Sequence, residues 1–167
     1  MPRRLAGRLA QSSRAHCERW PNRARRSTVQ VRMVANDEDL ERLLTGLNRR
    51  FERAGDAGVY LVSMGPGQSP CALSISPPVL VAQVQVGPLP ALGDRASVQY
   101  LRHLLQLNSS GLLHAAFALE GEQIVLTAAL ELQNLDANEL SAVLSDLDMA
   151  LSEHVPALVA LSQSLGA

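Results

Sequence analysis

The sequence predicts an α+β domain: one antiparallel five-stranded sheet with helices on one face, in the order α-β-β-β-α-β-β-α. Two observations point there. Short β-rich segments are separated by Gly- and Pro-containing turns too brief for parallel crossovers, and three leucine stripes recur at helical spacing. At 167 residues the chain can bury one real core, and with only 3% aromatic residues Leu, Val and Ala must fill it.

Asn36 and Asp37 are suited to cap a first helix, and Asp37, Glu38, Asp39 and Glu41 favour its positive end. Leu40, Leu43, Leu44, Leu47 and Phe51 then form a single apolar stripe. Arg49, Arg50 and Arg53 load the last turns, and Gly55 and Gly58 mark the exit, so the helix is expected over 37–54. Three strands follow, over 59–64, 71–75 and 79–86. Gly65-Pro66-Gly67 ends the first, Pro77-Pro78 separates the second from the third, and Pro88 and Pro90 stop the third. Asp94 can cap a second helix over 95–107, with Val98, Leu101, Leu104 and Leu105 on one side. Leu113, Ala115, Phe117 and Leu119 alternate in the fourth strand, and Ile124, Leu126, Ala128, Leu130 and Leu132 in the fifth, joined by Glu120-Gly121-Glu122. Asp136 caps the last helix. Its seam runs from Leu140 through Leu144, Leu147, Leu151, His154, Leu158 and Leu161 to Leu165, and Pro156 is expected to end or kink it near His154. Glu139, Asp146, Asp148 and Glu153 are read as its solvated face.

The net charge of −1 hides a division. Residues 1–32 carry nine arginines against Glu18, a net of +8, and residues 33–167 carry six arginines against fifteen acids, a net of −9. There is no lysine. The organisation expected is therefore a basic extension over 1–32 and a domain over 33–167. The head lacks the apolar core of a secretory signal. It reads first as translation that really starts at Met33, next as a disordered tail, and last as a phosphate-binding arm; its composition also overlaps a mitochondrial transit segment. Cys17 and Cys71 make neither a disulfide framework nor a zinc site, so a reducing, cytoplasmic setting is expected. No apolar run approaches the ~18 residues of a membrane span.

Chemistry is hard to find. Cys71 follows Pro70 at the start of an apolar strand and reads as an inert thiol. His103, His114 and His154 lie beside no carboxylate or ligand at metal spacing, and Gly65-Pro66-Gly67 lacks the Lys-Ser/Thr of a phosphate loop. No catalytic residue, metal or cofactor is assigned. The acidic body disfavours nucleic acid, which only the head could bind.

The segments Leu104-Leu105-Gln106-Leu107-Asn108, Gly111-Leu112-Leu113, Phe117-Ala118-Leu119-Glu120-Gly121, Ile124-Val125-Leu126 and Leu132-Gln133-Asn134-Leu135-Asp136, followed by a helix, resemble the type III secretion chaperone family (Tir chaperone, CesT-like), whose YbjN-like relatives share its fold. The resemblance covers about 37–155. It implies a homodimeric cytoplasmic chaperone that needs no nucleotide and holds the N-terminal region of a secreted effector in an extended form. The head, and the apolar tail from Pro156 to Leu165, depart from the family pattern.

An extended segment can add to a sheet edge while grooves take its side chains. The groove candidates are the Leu40, Leu43, Leu44, Leu47 and Phe51 stripe and the outward face of the fourth and fifth strands; each could instead be core. Dimer-interface candidates are Val98, Leu101 and Leu105 on the second helix with Leu112, His114 and Ala116 on the fourth strand, unless the C-terminal seam covers that surface within one chain. The competing functions are a YbjN-like regulatory or scaffolding module without a secretion client, an enzyme with an unrecognised site, and nucleic-acid binding through the head.

Overall fold

Asn36 opens the first helix by accepting the Asp39 N–H at 3.0 Å, and three acids in the first turn suit the dipole. The computed structural model describes residues 34, 36–55 and 58–166. The basic head, the start at Met33 and Cys17 lie outside the described residues.

The first helix is shorter than its stripe suggested. α1 covers Asp37–Gly46, and Asn48 then takes a left-handed φ of 54°, which asparagine tolerates better than most residues. The chain leaves the helix there and Phe51–Ala54 forms a strand, β1, in place of the expected last helical turns. A four-residue loop, with Gly55 at φ 61° and Gly58 at φ 66°, returns it into β2, Val59–Val62. The remaining elements are β3 (Cys71–Ser76), β4 (Val79–Pro88), α2 (Asp94–Ser110), β5 (Ala116–Glu120), β6 (Gln123–Glu131), α3 (Ala137–Met149) and α4 (Val155–Gly166). The sheet is antiparallel, as expected, but has six strands rather than five, in the order β1-β2-β3-β4-β6-β5. Its two edges are thus β1 and β5.

Period-two alternation divides the sheet cleanly. Tyr60, Val62, Cys71, Leu73, Leu80, Ala82, Val84, Leu126 and Ala128 lie on one face and are buried, together with Leu40 and Leu44 of α1 and Leu140, Leu144 and Leu147 of α3. Each fully buried leucine contributes about 1.5–3 kcal/mol by leaving water. Asp136 caps α3 through a capping box with Glu139.

Pro156 does not end the last helix. Residues Ala150–His154 widen into a π-helical turn, in which the Val155 N–H reaches the Ala150 carbonyl, and α4 continues beyond it. Proline is tolerated here, close after the irregular turn, because it need not supply a regular i to i−4 bond. α4 packs against α2 and buries Leu158. No described helix is long and apolar enough to cross a membrane.

Candidate functional site

The two sheet edges are treated differently by the chain. At β5, Asn108 from α2 accepts the Phe117 N–H at 2.7 Å and donates to its carbonyl at 3.0 Å, so one side-chain amide occupies the position a further strand would take. Just before β5, the buried carboxylate of Asp146 in α3 accepts the N–H groups of Leu113, His114 and Ala115, at 3.1, 2.7 and 2.9 Å. This edge is thereby tied down over residues 113–117.

At β1 the geometry is open. The Ser63 N–H donates to the Arg50 carbonyl at 2.9 Å, which sets the phase of the β1–β2 ladder. Arg50, Glu52 and Ala54 turn their backbone groups toward β2, and Phe51 and Arg53 turn theirs outward. Among the described residues no backbone hydrogen bond is made by those outward groups. α1 lies against this hairpin: Arg53 pairs with Asp37 at 2.6 Å, and the Tyr60 hydroxyl donates to Glu41 at 2.8 Å. Phe51 meets the Tyr60 ring edge-on at 6.1 Å, and the Arg53 guanidinium stands 5.8 Å from the same ring. Arg49, expected in the last helical turn, instead bridges to Asp148 of α3 at 2.9 Å.

The structure divides the predicted stripe. Leu40 and Leu44 are wholly buried in the core, whereas Leu43, Leu47 and Phe51, the last of them on β1 itself, are half-buried. The second set of candidates is also divided. Val98 and Leu105 stand 58% and 68% exposed on α2, Leu101 and Ala116 are half-buried, His114 is exposed, and Leu112 is buried. Leu113, expected to point inward, is 87% exposed. The alternation fails there because residues 113–115 wrap their N–H groups around Asp146 rather than extending.

The reading of Asp146 as a solvated acid is corrected by its 6% exposure. Its signal was present: Val143 and Ala150, three residues before and four after it, put it on an apolar face. Asn108 lies within a segment noted for its family pattern, but nothing in its local sequence announces a strand-edge role. His154, in the π-helical turn, contacts the Gly111 carbonyl through Nε2 at 3.1 Å, and a Cβ on Gly111 would stand 2.9 Å from that nitrogen, so a side chain there would displace the imidazole. Cys71 is fully buried, and burial pushes its thiol up to about 12. Among the described residues no group of His, Cys, Asp and Glu could hold a metal ion.

No described helix covers the face of the sheet opposite the core. Leu61, Ala72 and Val125 floor a depression of about 580 Å³ there. Across it Gln83 donates to Glu120 at 2.6 Å and Gln85 to Gln123 at 3.1 Å.

The sequence matches the family model CesT_Tir_1 over residues 33–164. No curated protein is significantly similar to it in sequence. Among solved structures, the type III secretion chaperone SycH of Yersinia pestis, in complex with a stable fragment of YscM2, superposes with a TM-score of 0.50 at 21% identity, covering 71% of this chain and 95% of that one. A chain of the heterodimeric ExoU–SpcU complex, from the type III secretion system of Pseudomonas aeruginosa, gives 0.52 at 22% identity, with 70% and 95% covered. YbjN of E. coli gives 0.55 at 12% identity, with 80% and 97% covered. At these identities the structures share the fold.

Proposed function

The chain belongs to the CesT_Tir_1 family of chaperones, and from that premise we propose that it is a cytoplasmic chaperone that binds the extended N-terminal region of a type III secretion effector and keeps it competent for export. The observation that carries this reading is the β1 edge. Phe51 and Arg53 present outward backbone groups there, and Leu43, Leu47 and Phe51 each keep part of their apolar side chains accessible. Main-chain bonds along such an edge bind any extended segment, and alternate side chains of that segment can fill the apolar surface beside it. The β1 edge is short, but unlike the edge at β5 it carries no side-chain cap among the described residues, which suits a strand-accepting role.

The reading requires neither catalysis nor a cofactor. Binding would exchange one set of main-chain hydrogen bonds for another and cover apolar surface, which needs no nucleotide. The exposed Val98 and Leu105 of α2 support a homodimer, because a two-fold pairing would remove both from water on each copy. The likeness to YbjN favours a second reading of the same surfaces, a regulatory or scaffolding module without a secretion client.

The test is co-purification of the full chain from its native host, with bound proteins identified by mass spectrometry. A secreted effector held by its N-terminal region is the expected partner. Leu47→Asp, at a half-buried surface position, should release it at least tenfold, since an aspartate there sets an unpaired charge against the client's apolar side chains. Recovery of non-secreted regulatory partners alone would favour the second reading. Undiminished capture of an effector by Leu47→Asp would remove the edge and its stripe as the binding site.

A further inference from the structure

The sheet face opposite the core is uniform in one respect. Directly opposite residues of an antiparallel ladder share a face, so Glu52, Leu61, Ala72, Gln83, Thr127 and Ala116 form a single row across all six strands. Among the strand residues this face carries three carboxylates, Glu52, Glu120 and Glu131, and no arginine. Arg53, the one strand arginine, lies on the other face and is paired with Asp37. Glu120 makes no ion pair among the described residues, yet the Gln83 amide fixes one of its oxygens at 2.6 Å. It therefore stands at the wall of the depression with its negative charge held in place and, among the described residues, no cation against it. The floor beneath is apolar, and Val125 is so closely framed that only 4% of it is exposed.

An apolar floor ending at an oriented carboxylate matches one kind of side chain: a long aliphatic stem with a positive head. We propose that this face is a second binding surface, for a basic extended polypeptide segment, whose arginine or lysine lies over Leu61 and Val125 and places its charge on Glu120. The choice of a basic segment follows from the three carboxylates of the face, which make no ion pair among the described residues, and from the −9 charge of residues 33–167, which repel an acidic partner. The planar guanidinium of arginine can also bond the side-chain carbonyl oxygens of Gln83 and Gln85, whose amide N–H groups are the ones engaged with Glu120 and Gln123, which favours it over lysine. This surface stands apart from the β1 edge, because Phe51 and the α1 stripe face the opposite side of the sheet.

The test uses the full chain, isotope-labelled, titrated with the pentapeptide acetyl-Ala-Leu-Arg-Leu-Ala-amide and with the same peptide carrying citrulline for arginine. The arginine peptide should shift the Leu61 and Val125 methyl resonances and the Gln83 side-chain amide saturably. Citrulline, or Glu120→Gln in the protein, should weaken that binding by about three- to fivefold, the worth of a partly exposed ion pair. Glu120 is exposed, so its replacement leaves the fold intact; an unchanged methyl spectrum of the free variant verifies that. Absence of saturable shifts, shifts indifferent to both changes, or shifts confined to Leu43 and Phe51 would overturn the proposal, and only the last of these leaves the edge site standing as the peptide's target.

Discussion

Replacing Asp146 by alanine should destabilise the fold, although helix physics alone argues the reverse. Aspartate is a poorer helix former than alanine by about half a kcal/mol. On that ground alone Asp146→Ala would stabilise by roughly half a kcal/mol. Against this stand three N–H groups bonded to one carboxylate at 3.1, 2.7 and 2.9 Å. Ala115 is buried, so its N–H would lose its acceptor without recovering water, at a cost of about 1–3 kcal/mol. Leu113 and His114 are exposed, and water can replace the carboxylate there, so each loses only about 0.5–1 kcal/mol of a charge-assisted bond. The net expectation is a loss of about 2–3 kcal/mol, or a fall in Tm near 10 °C for a body of this size. Asp146→Asn keeps one oxygen for His114 and Ala115 and should lose about 1 kcal/mol. Urea unfolding of the full chain followed by circular dichroism measures both. A stabilised Asp146→Ala, or an Asn variant as damaged as the Ala variant, would refute the reasoning.

Asn108→Ala should cost about 1–3 kcal/mol, because the Phe117 N–H and carbonyl lose their only side-chain partner. The same variant uncaps the β5 edge, so light scattering should detect added self-association that Asn108→Asp, still an acceptor for the N–H, reduces. The Cys71 thiol, fully buried and pushed up to about 12, should stay unreactive toward a disulfide reagent in the native protein and react only on unfolding. Reaction at the rate of a free cysteine would contradict the packing of β3. Tyr60 is raised from 10.0 to about 12, by burial first and then by its bond to Glu41. Its neutral form is the one the fold favours, so its contribution is complete below pH 10 and fades as pH climbs toward 12. Ultraviolet titration should find this late ionisation, and Glu41→Ala should bring it closer to 10.

The period-two segments and the capped helices were legible because each rests on local patterning. Leu80, Ala82 and Val84 on β4, and Leu140, Leu144 and Leu147 on α3, are buried as their spacing requires. β1 was hidden because Phe51 falls in helical register with Leu40, Leu44 and Leu47, and only the left-handed Asn48 separates them. Gly55 and Gly58, both at positive φ between two short β-capable runs, are the local mark of the turn into β2. Asp146 and Asn108 were missed for a different reason. Their partners are backbone groups 31–33 and 9 residues away, and a polar side chain that satisfies distant backbone leaves almost no local mark. The stripe on α1 showed the limit of periodicity itself, which gives a face but not the fraction of that face left open. Tertiary packing divided it, burying Leu40 and Leu44 and leaving Leu43, Leu47 and Phe51 half-buried.

The central claim is that β1 accepts a partner strand, and backbone hydrogen exchange at its outward amides tests it most directly. The full chain would be compared alone and with the partner that co-purifies with it. The account predicts that the Phe51 and Arg53 amides exchange slowly only in the complex, by about tenfold or more, because a new strand then bonds them. Unchanged exchange at Phe51 and Arg53 while the partner is bound would contradict it.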